Sequence, residues 1–140
     1  MFNLSKLREE HTELGAIARQ FSAICASDSP PPLSVLDGLR RELQSKLFAH
    51  LQTEDWVLYP RLLDSPDPAV VGTARRFSHE MGGLAASFLN YVEKWNTKAI
   101  TDNWRGYCKD TTEITTVLIA RISRENTQLY PLLERLDRAA

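Results

Sequence analysis

Apolar side chains recur at alternating spacings of three and four residues along four long segments, and this period restricts the fold more than any other feature. No segment shows the period-two alternation of a half-buried strand. Three short breaks separate the segments: DSPPP at Asp28–Pro32, DSPDP at Asp64–Pro68 and NTKAIT at Asn96–Thr101. Such polar and proline-rich runs end helices. The pattern predicts an all-α fold, an up-down-up-down four-helix bundle, formed as a single domain by residues 1–140.

Each segment carries start signals or an inward-facing stripe. Ser34 and Asp37 resemble a capping box and predict the start of the second helix, whereas Asp67 followed by Pro68 predicts the start of the third. The fourth helix is predicted to begin near residues 101–102. The predicted inward stripes are Leu4, Leu7, His11, Leu14, Ala18, Phe21 and Cys25; Leu36, Leu39, Leu43, Leu47, His50, Glu54 and Val57; Phe77, Met81, Leu84, Phe88, Tyr91 and Trp95; and Tyr107, Ile114, Leu118, Arg121, Glu125 and Leu132.

Composition narrows the class of protein. The 140 residues are 43% hydrophobic and 25% charged, which is typical of a globular domain with its own core. A net charge of -1 argues against nucleic acid or a membrane surface as a partner. No apolar run is long enough to span a bilayer. Cys25 and Cys108 have no CxxC spacing, so we expect reduced thiols and a cytoplasmic location.

One segment is echoed later in the chain. HLQTEDWVLYPRLL at His50–Leu63 aligns with RISRENTQLYPLLE at Arg121–Glu134, so that Glu54 matches Glu125 and each copy contains Leu-Tyr-Pro. The proline must bend or end each helix. The echo indicates that the second and fourth helices do the same job on opposite sides of one bundle.

Five polar residues fall inside stripes that otherwise bury apolar side chains: His11, His50, Glu54, Arg121 and Glu125. Glutamate and arginine are rarely buried without a partner, because an unpaired buried charge costs several kcal/mol, about 3–5 when one partner of a pair is removed. Each of these side chains therefore needs a partner inside the bundle.

Two explanations fit that requirement. His50 and Glu54 lie four residues apart, on one helix face, where a nitrogen and an oxygen can ligate one cation. A mixed histidine and carboxylate set suits iron, manganese or zinc better than calcium. Alternatively, the same spacing is an ordinary helix-face contact, and His11 is a hydrogen-bonded core histidine.

The ordered set of motifs resembles the hemerythrin-like, or HHE cation-binding, domains over nearly the whole chain. The matching residues are His11 in HTEL, His50 and Glu54 in HLQTE, His79 in SHEMGG, and Glu125 in ISRENTQLYP. The resemblance implies a helical bundle around a non-haem di-iron centre. It also implies oxygen binding, iron storage, or sensing of oxygen, nitric oxide or iron.

The chain departs from the family pattern at two positions. Arg121 stands where the family has its fourth-helix histidine, and Gly83 stands where some members have a second helix-three histidine. Arginine offers no lone pair. Its charge would repel a cation about 4 Å away by roughly 4 kcal/mol at an effective dielectric constant near 20. His79 lies off the apolar stripe, so a surface position is an alternative to a ligand role.

Two hypotheses of different class follow. In the first, the domain has a metal site with fewer ligands than the family pattern, supplied by His11, His50, Glu54, His79 and Glu125. One iron is more expected than two, and zinc is possible. The site would respond to a small ligand such as dioxygen or nitric oxide. In the second, the domain is a metal-free structural or protein-interaction module, and Arg121 pairs with both glutamates in place of the cation. An enzyme is not supported, because the chain has no Gly-rich phosphate loop and the cysteines have no evident histidine partner.

Overall fold

The computed structural model describes residues 3–139, which are helical almost throughout and contain no β-strand. The α-helices are α1 (Leu4–Cys25), α2 (Leu33–Thr53), α3 (Tyr59–Leu63), α4 (Pro68–Met81), α5 (Leu84–Lys94), α6 (Thr97–Asp102), α7 (Trp104–Arg124) and α8 (Tyr130–Ala139). A first π-helical turn (Glu54–Leu58) joins α2 to α3, and a second (Glu125–Leu129) joins α7 to α8. The prediction of an all-α fold is confirmed.

Asparagine or aspartate side chains cap α1, α4, α6 and α7, because each accepts a hydrogen bond from a backbone N–H two or three residues further on. Asp67 is among them, as predicted. By contrast, α2 begins at Leu33, directly after Pro32, and no side chain caps it. The predicted start at Ser34 and Asp37 is therefore wrong, because the extended backbone of Pro32 leads into the helix earlier.

The first two predicted breaks lie between α1 and α2 and between α3 and α4. The third, Asn96–Thr101, is not a plain loop, because most of it forms the short helix α6. In consequence the last long helix starts at Trp104, slightly later than predicted. The third predicted helix is also interrupted, since Gly82 and Gly83 separate α4 from α5.

The π-helical turns change which residues face inward. A π turn closes its hydrogen bond over five residues instead of four, so the inward face moves along by about one residue. Val57, predicted to be buried, is 47% exposed, whereas Leu58 is fully buried. In the second copy Leu132 is only partly buried and Leu133 is buried. The predicted period of 3.6 thus fails because of the π-helical turn in both copies of the echo.

The apolar core consists of two clusters with a polar layer between them. Along α1, Leu7 belongs to one cluster and Leu14 to the other. The layer between them consists of five buried side chains, His11, His50, Glu54, Arg121 and Glu125. We call these five residues the polar layer.

Helix packing brings this layer together. α1 packs against α2 and α7, and α5 and α6 also pack against α7. Within residues 3–139, none of the helices has the length and apolar character needed to cross a membrane. Cys25 and Cys108 are free and partly buried, and burial raises the pKa of Cys25 to about 12.

Candidate metal centre

Four of the predicted site residues form one buried cluster. His11 comes from α1, His50 from α2, and Glu54 and Glu125 from the starts of the two π-helical turns. One ligand atom from each lies within 4.8 Å of those from the others. All four are at most 2% exposed. We call them the four-residue cluster.

Each histidine in the cluster lies beside one carboxylate. Nε2 of His50 is 2.9 Å from Oε1 of Glu54, and Nε2 of His11 is 3.2 Å from Oε1 of Glu125. The two imidazole centroids are 4.7 Å apart. The two nitrogens and two oxygens therefore face one small volume at the centre of the polar layer.

Outer partners fix the orientation of both rings. Nδ1 of His50 donates to Glu10 at 2.7 Å, since a carboxylate can only accept. Nδ1 of His11 pairs with Oδ1 of Asn126 at 2.8 Å. With Nδ1 as donor, a neutral imidazole carries its lone pair on Nε2, the atom that faces the cluster. This is the arrangement that protein metal sites use to aim histidine ligands.

Two tyrosines hold the outer oxygens of the carboxylates in a crossed arrangement. The hydroxyl of Tyr59, at the start of α3, donates to Oε2 of Glu125 at 2.6 Å. The hydroxyl of Tyr130, at the start of α8, donates to Oε2 of Glu54 at 2.5 Å. The tyrosine of each helical segment, α2–α3 or α7–α8, thus binds the glutamate of the other segment. In both carboxylates Oε1 faces the histidines.

Two buried atoms of the cluster make no hydrogen bond with any described residue: Nε2 of His50 and Oε1 of Glu125. Each lies within ion-pair distance of a neighbour, but the groups are not oriented for donation. Because a hydrogen bond weakens steeply with angle, these contacts supply neither atom with a hydrogen-bond partner. An inward lone pair and an inward carboxylate oxygen, both without donors, fit a metal ion.

Arg121 lies beside the cluster and is itself 2% exposed. Its guanidinium donates to Asp55 at 2.7 Å, Glu125 at 3.1 Å and Glu54 at 3.3 Å. A fourth hydrogen bond, of 3.3 Å, reaches the backbone carbonyl of Met81 at the end of α4. Burial opposes its charge, but the surrounding carboxylates raise the pKa of Arg121 above its usual value. The side chain is a fixed cation with every partner supplied by the protein.

The electrostatics of the cluster are uneven. Burial alone would raise the pKa of Glu125, but His11, Arg121 and Tyr59 outweigh it and lower that pKa to about 2. Burial, followed by the charge of Glu125, raises the pKa of Glu54. Burial alone would lower the pKa of His50, yet its carboxylate neighbours outweigh this and raise it. A proton on His50 is favoured wherever no other cation balances the carboxylates.

The fifth predicted ligand is not part of this group. His79 is exposed on α4, where Phe77 and Met81 occupy the inward face. Gly83 offers no side chain. The part of the chain that the structure describes therefore places Arg121 beside the cluster and His79 outside it.

Five contacting residues were not predicted from the sequence: Glu10, Asp55, Tyr59, Asn126 and Tyr130. The echo held a usable signal for four of them. In both copies the glutamate is followed by an Asp or Asn and, five residues on, by tyrosine. Glu10 only precedes His11 and had no comparable signal.

Comparison with models of known protein families identifies a match. A family model described as "Hemerythrin HHE cation binding domain" matches residues 3–133, nearly the whole chain. No curated protein and no solved structure matches the chain.

Proposed function

Because the chain belongs to the hemerythrin HHE cation-binding domain family, we propose that it binds one divalent metal ion through its four-residue cluster. Non-haem iron is the expected metal and zinc the alternative, since histidine nitrogen with carboxylate oxygen suits both. The proposed role is metal binding, or sensing of iron, redox state or a small ligand such as dioxygen or nitric oxide. Reversible oxygen carriage through two irons is not proposed.

The observation that carries this proposal is the pair of buried atoms without donors, Nε2 of His50 and Oε1 of Glu125. The charge balance supports it too. The single guanidinium of Arg121 faces three carboxylates, of which Glu54 and Glu125 are fully buried, so negative charge is left over. A metal ion between the four ligand atoms would neutralise that charge and occupy both free atoms.

Arg121 supports one metal ion over two. A second ion would have to share Glu54 and Glu125 with a guanidinium that already hydrogen-bonds to both. It would gain no lone pair from Arg121. His79 is too exposed to offer an imidazole in the polar layer. The second position of a di-iron site is thus filled by a cation of the chain itself.

An iron ion bound here would supply a redox-active centre that can take a small ligand. The residues of the chain would do the rest. Glu10 and Asn126 aim the two imidazoles, and the tyrosines fix the carboxylates. Asp55 and Met81 hold the guanidinium at a constant place, so its charge acts on the centre in every redox state.

Metal analysis tests this proposal directly. Protein produced with iron, and separately with zinc, is expected to hold one ion per chain. His50→Ala should lose the ion, because it removes a ligand from the centre. The matched control His79→Ala removes the exposed histidine and should retain it. A chain without stoichiometric metal under both conditions would contradict the proposal.

A second function is favoured by the network around Arg121. In this alternative the domain is a metal-free structural or protein-interaction module, and the guanidinium neutralises Glu54 and Glu125 in place of an ion. The remaining negative charge is balanced by a proton on His50. This alternative expects the thermal stability of purified protein to be the same with and without a strong chelator.

We further propose an up-down-up-down arrangement of four rods, supported by the short connections and by the packing of α1 against both α2 and α7. The matched range of residues 3–133 supports a single domain over 1–140. A cytoplasmic location and the lack of nucleic-acid and membrane partners stay predictions from composition. An unknown protein partner also stays a prediction.

A further inference from the structure

The two oxygens of each buried carboxylate have different surroundings. Oε1 of Glu54 and Oε1 of Glu125 face the imidazole nitrogens at 2.9 and 3.2 Å. Oε2 of Glu54 accepts from Tyr130, and Oε2 of Glu125 accepts from Tyr59. Oε2 of each carboxylate is therefore occupied by a phenol, whereas Oε1 faces the centre. Oε1 of Glu54 also accepts from Nη2 of Arg121 at 3.3 Å, and Oε1 of Glu125 has no donor among the described residues.

We propose that Tyr59 and Tyr130 are positioning residues that make both carboxylates bind the metal through one oxygen each, and thereby set its coordination number. This inference rests on the proposed function, because it concerns how that ion is held. With both phenols in place the chain offers two nitrogens and two oxygens. A carboxylate that loses its phenol is free to turn its second oxygen toward the ion.

The π-helical turns are what bring the phenols to these oxygens. In a regular α-helix a residue five positions after the glutamate points about 140° away from it. Here the N–H of Tyr59 bonds to the carbonyl of Glu54, and that of Tyr130 to the carbonyl of Glu125. Each tyrosine consequently lies one turn after its own glutamate, on the inward face, where it reaches the carboxylate of the other rod.

The two tyrosines are not equivalent, which makes the proposal sharper. Oε2 of Glu125 also accepts from Nε of Arg121 at 3.1 Å, so it keeps one donor if Tyr59 is changed. For Oε2 of Glu54, Tyr130 is the one hydrogen-bond donor found among the described residues. Loss of the Tyr130 hydroxyl should therefore change the coordination more than loss of the Tyr59 hydroxyl.

The test uses cobalt(II) as a spectroscopic probe of the centre in the full chain. Four-coordinate cobalt(II) absorbs visible light much more strongly than five- or six-coordinate cobalt(II), and geometry is diagnostic of the ligand set. Visible spectra and dissociation constants would be measured for the unmodified chain, Tyr130→Phe and Tyr59→Phe. The matched control is Tyr107→Phe, a buried tyrosine whose hydroxyl has no hydrogen-bond partner among the described residues.

We expect the visible absorbance per bound ion to fall in Tyr130→Phe, to fall less in Tyr59→Phe and to stay unchanged in Tyr107→Phe. The dissociation constant should rise roughly 10- to 100-fold in Tyr130→Phe, as when other partners that orient a ligand are removed. A merely structural tyrosine would lower stability without altering the spectrum. If Tyr130→Phe does not fold, the comparison of Tyr59→Phe with Tyr107→Phe tests the proposal, and the absorbance per bound ion should fall only in Tyr59→Phe.

The outcomes separate the two proposals. An unmodified chain that binds no cobalt(II), iron or zinc overturns the proposed function and this inference with it. If the unmodified chain binds one ion, and Tyr130→Phe and Tyr59→Phe give the same spectrum as the unmodified chain, only the role of the tyrosines is overturned.

Discussion

At the scale of single residues, His50 carries the exchangeable charge of the polar layer. Its Nε2 lies 2.9 Å from Glu54 and its Nδ1 2.7 Å from Glu10. Because these carboxylates raise its pKa, protonated His50 is favoured in the metal-free protein. A metal ion needs the lone pair on Nε2, so it has to displace that proton.

Metal affinity should therefore rise with pH. Below the raised pKa of His50 each bound ion releases one proton, so the dissociation constant should fall about tenfold per pH unit and level off above that pKa. Glu125, with a pKa of about 2, adds no dependence in the neutral range. Competition titrations over a series of pH values would measure this slope. A pH-independent dissociation constant would contradict a neutral His50 as ligand.

The metal-free protein should show the opposite trend. A raised folded-state pKa means that protonated His50 contributes stability fully below its unfolded pKa, about 6.5, and loses it as pH rises through the folded value. The free energy of unfolding in urea, measured with a chelator present, should fall over that interval. His50→Ala should remove this part of the pH dependence, and a profile identical to that of the unmodified chain would contradict the assignment.

Arg121 forms ion pairs with three carboxylates, those of Glu54, Asp55 and Glu125. In metal-free protein, Arg121→Ala should lower the free energy of unfolding by about 3–5 kcal/mol, because it leaves buried carboxylates unpaired. The control Arg105→Ala, exposed on the same helix, should change it by less than about 0.5 kcal/mol. Urea denaturation measures both. A similar, small effect of the two variants would remove the argument that Arg121 replaces a cation.

At the scale of helical elements, the π turns decide which side chains reach the core. Leu58 is fully buried and Val57 is 47% exposed, although helical period alone predicted that Val57 faces inward. Leu58→Ala should cost about 2–5 kcal/mol of unfolding free energy, the usual range for a large-to-small change in a core. Val57→Ala should cost less than about 0.5 kcal/mol. A larger loss for Val57→Ala than for Leu58→Ala, in thermal or urea unfolding, would contradict the π turn and indicate a regular helix.

The same turns mark how far sequence could predict the site. Spacing of four along one helix was enough to place His50 beside Glu54, and the apolar stripe was enough to bring His11 inward. Tyr59 and Tyr130 could not be found by period, because the inserted residue of each π turn breaks it. Glu10 could not be found either, since an exposed-looking position next to a stripe carries no local signal for a contact 40 residues away.

The predicted third helix, which the structure divides into α4 and α5, contains a second feature that sequence did not predict. The stripe through Phe77, Met81 and Leu84 correctly predicted buried residues, but not the break at Gly82. That break leaves the Met81 carbonyl free to accept from Arg121, a tertiary contact between distant segments. The contact depends on a long side chain from another helix, and a single sequence does not show which helix will supply it.

At the scale of the whole molecule, metal binding should stabilise the fold, because the ligands come from three different stretches of chain. An ion at a free concentration of about 100 times its dissociation constant adds roughly 2.7 kcal/mol to the free energy of unfolding. Thermal unfolding with and without added iron(II) or zinc would measure the gain. His79→Ala should show the same gain, whereas His50→Ala should show little of it.

The placement of the polar layer between two apolar clusters has one more consequence. Leu7 and Leu14 lie only two helical turns apart, yet they belong to separate cores. Each end of the bundle thus has its own small hydrophobic core, and the five ionisable side chains of the polar layer lie where the two cores meet. Whatever balances the charge at that junction also governs cooperativity, that is, whether the two ends melt in one step or in two.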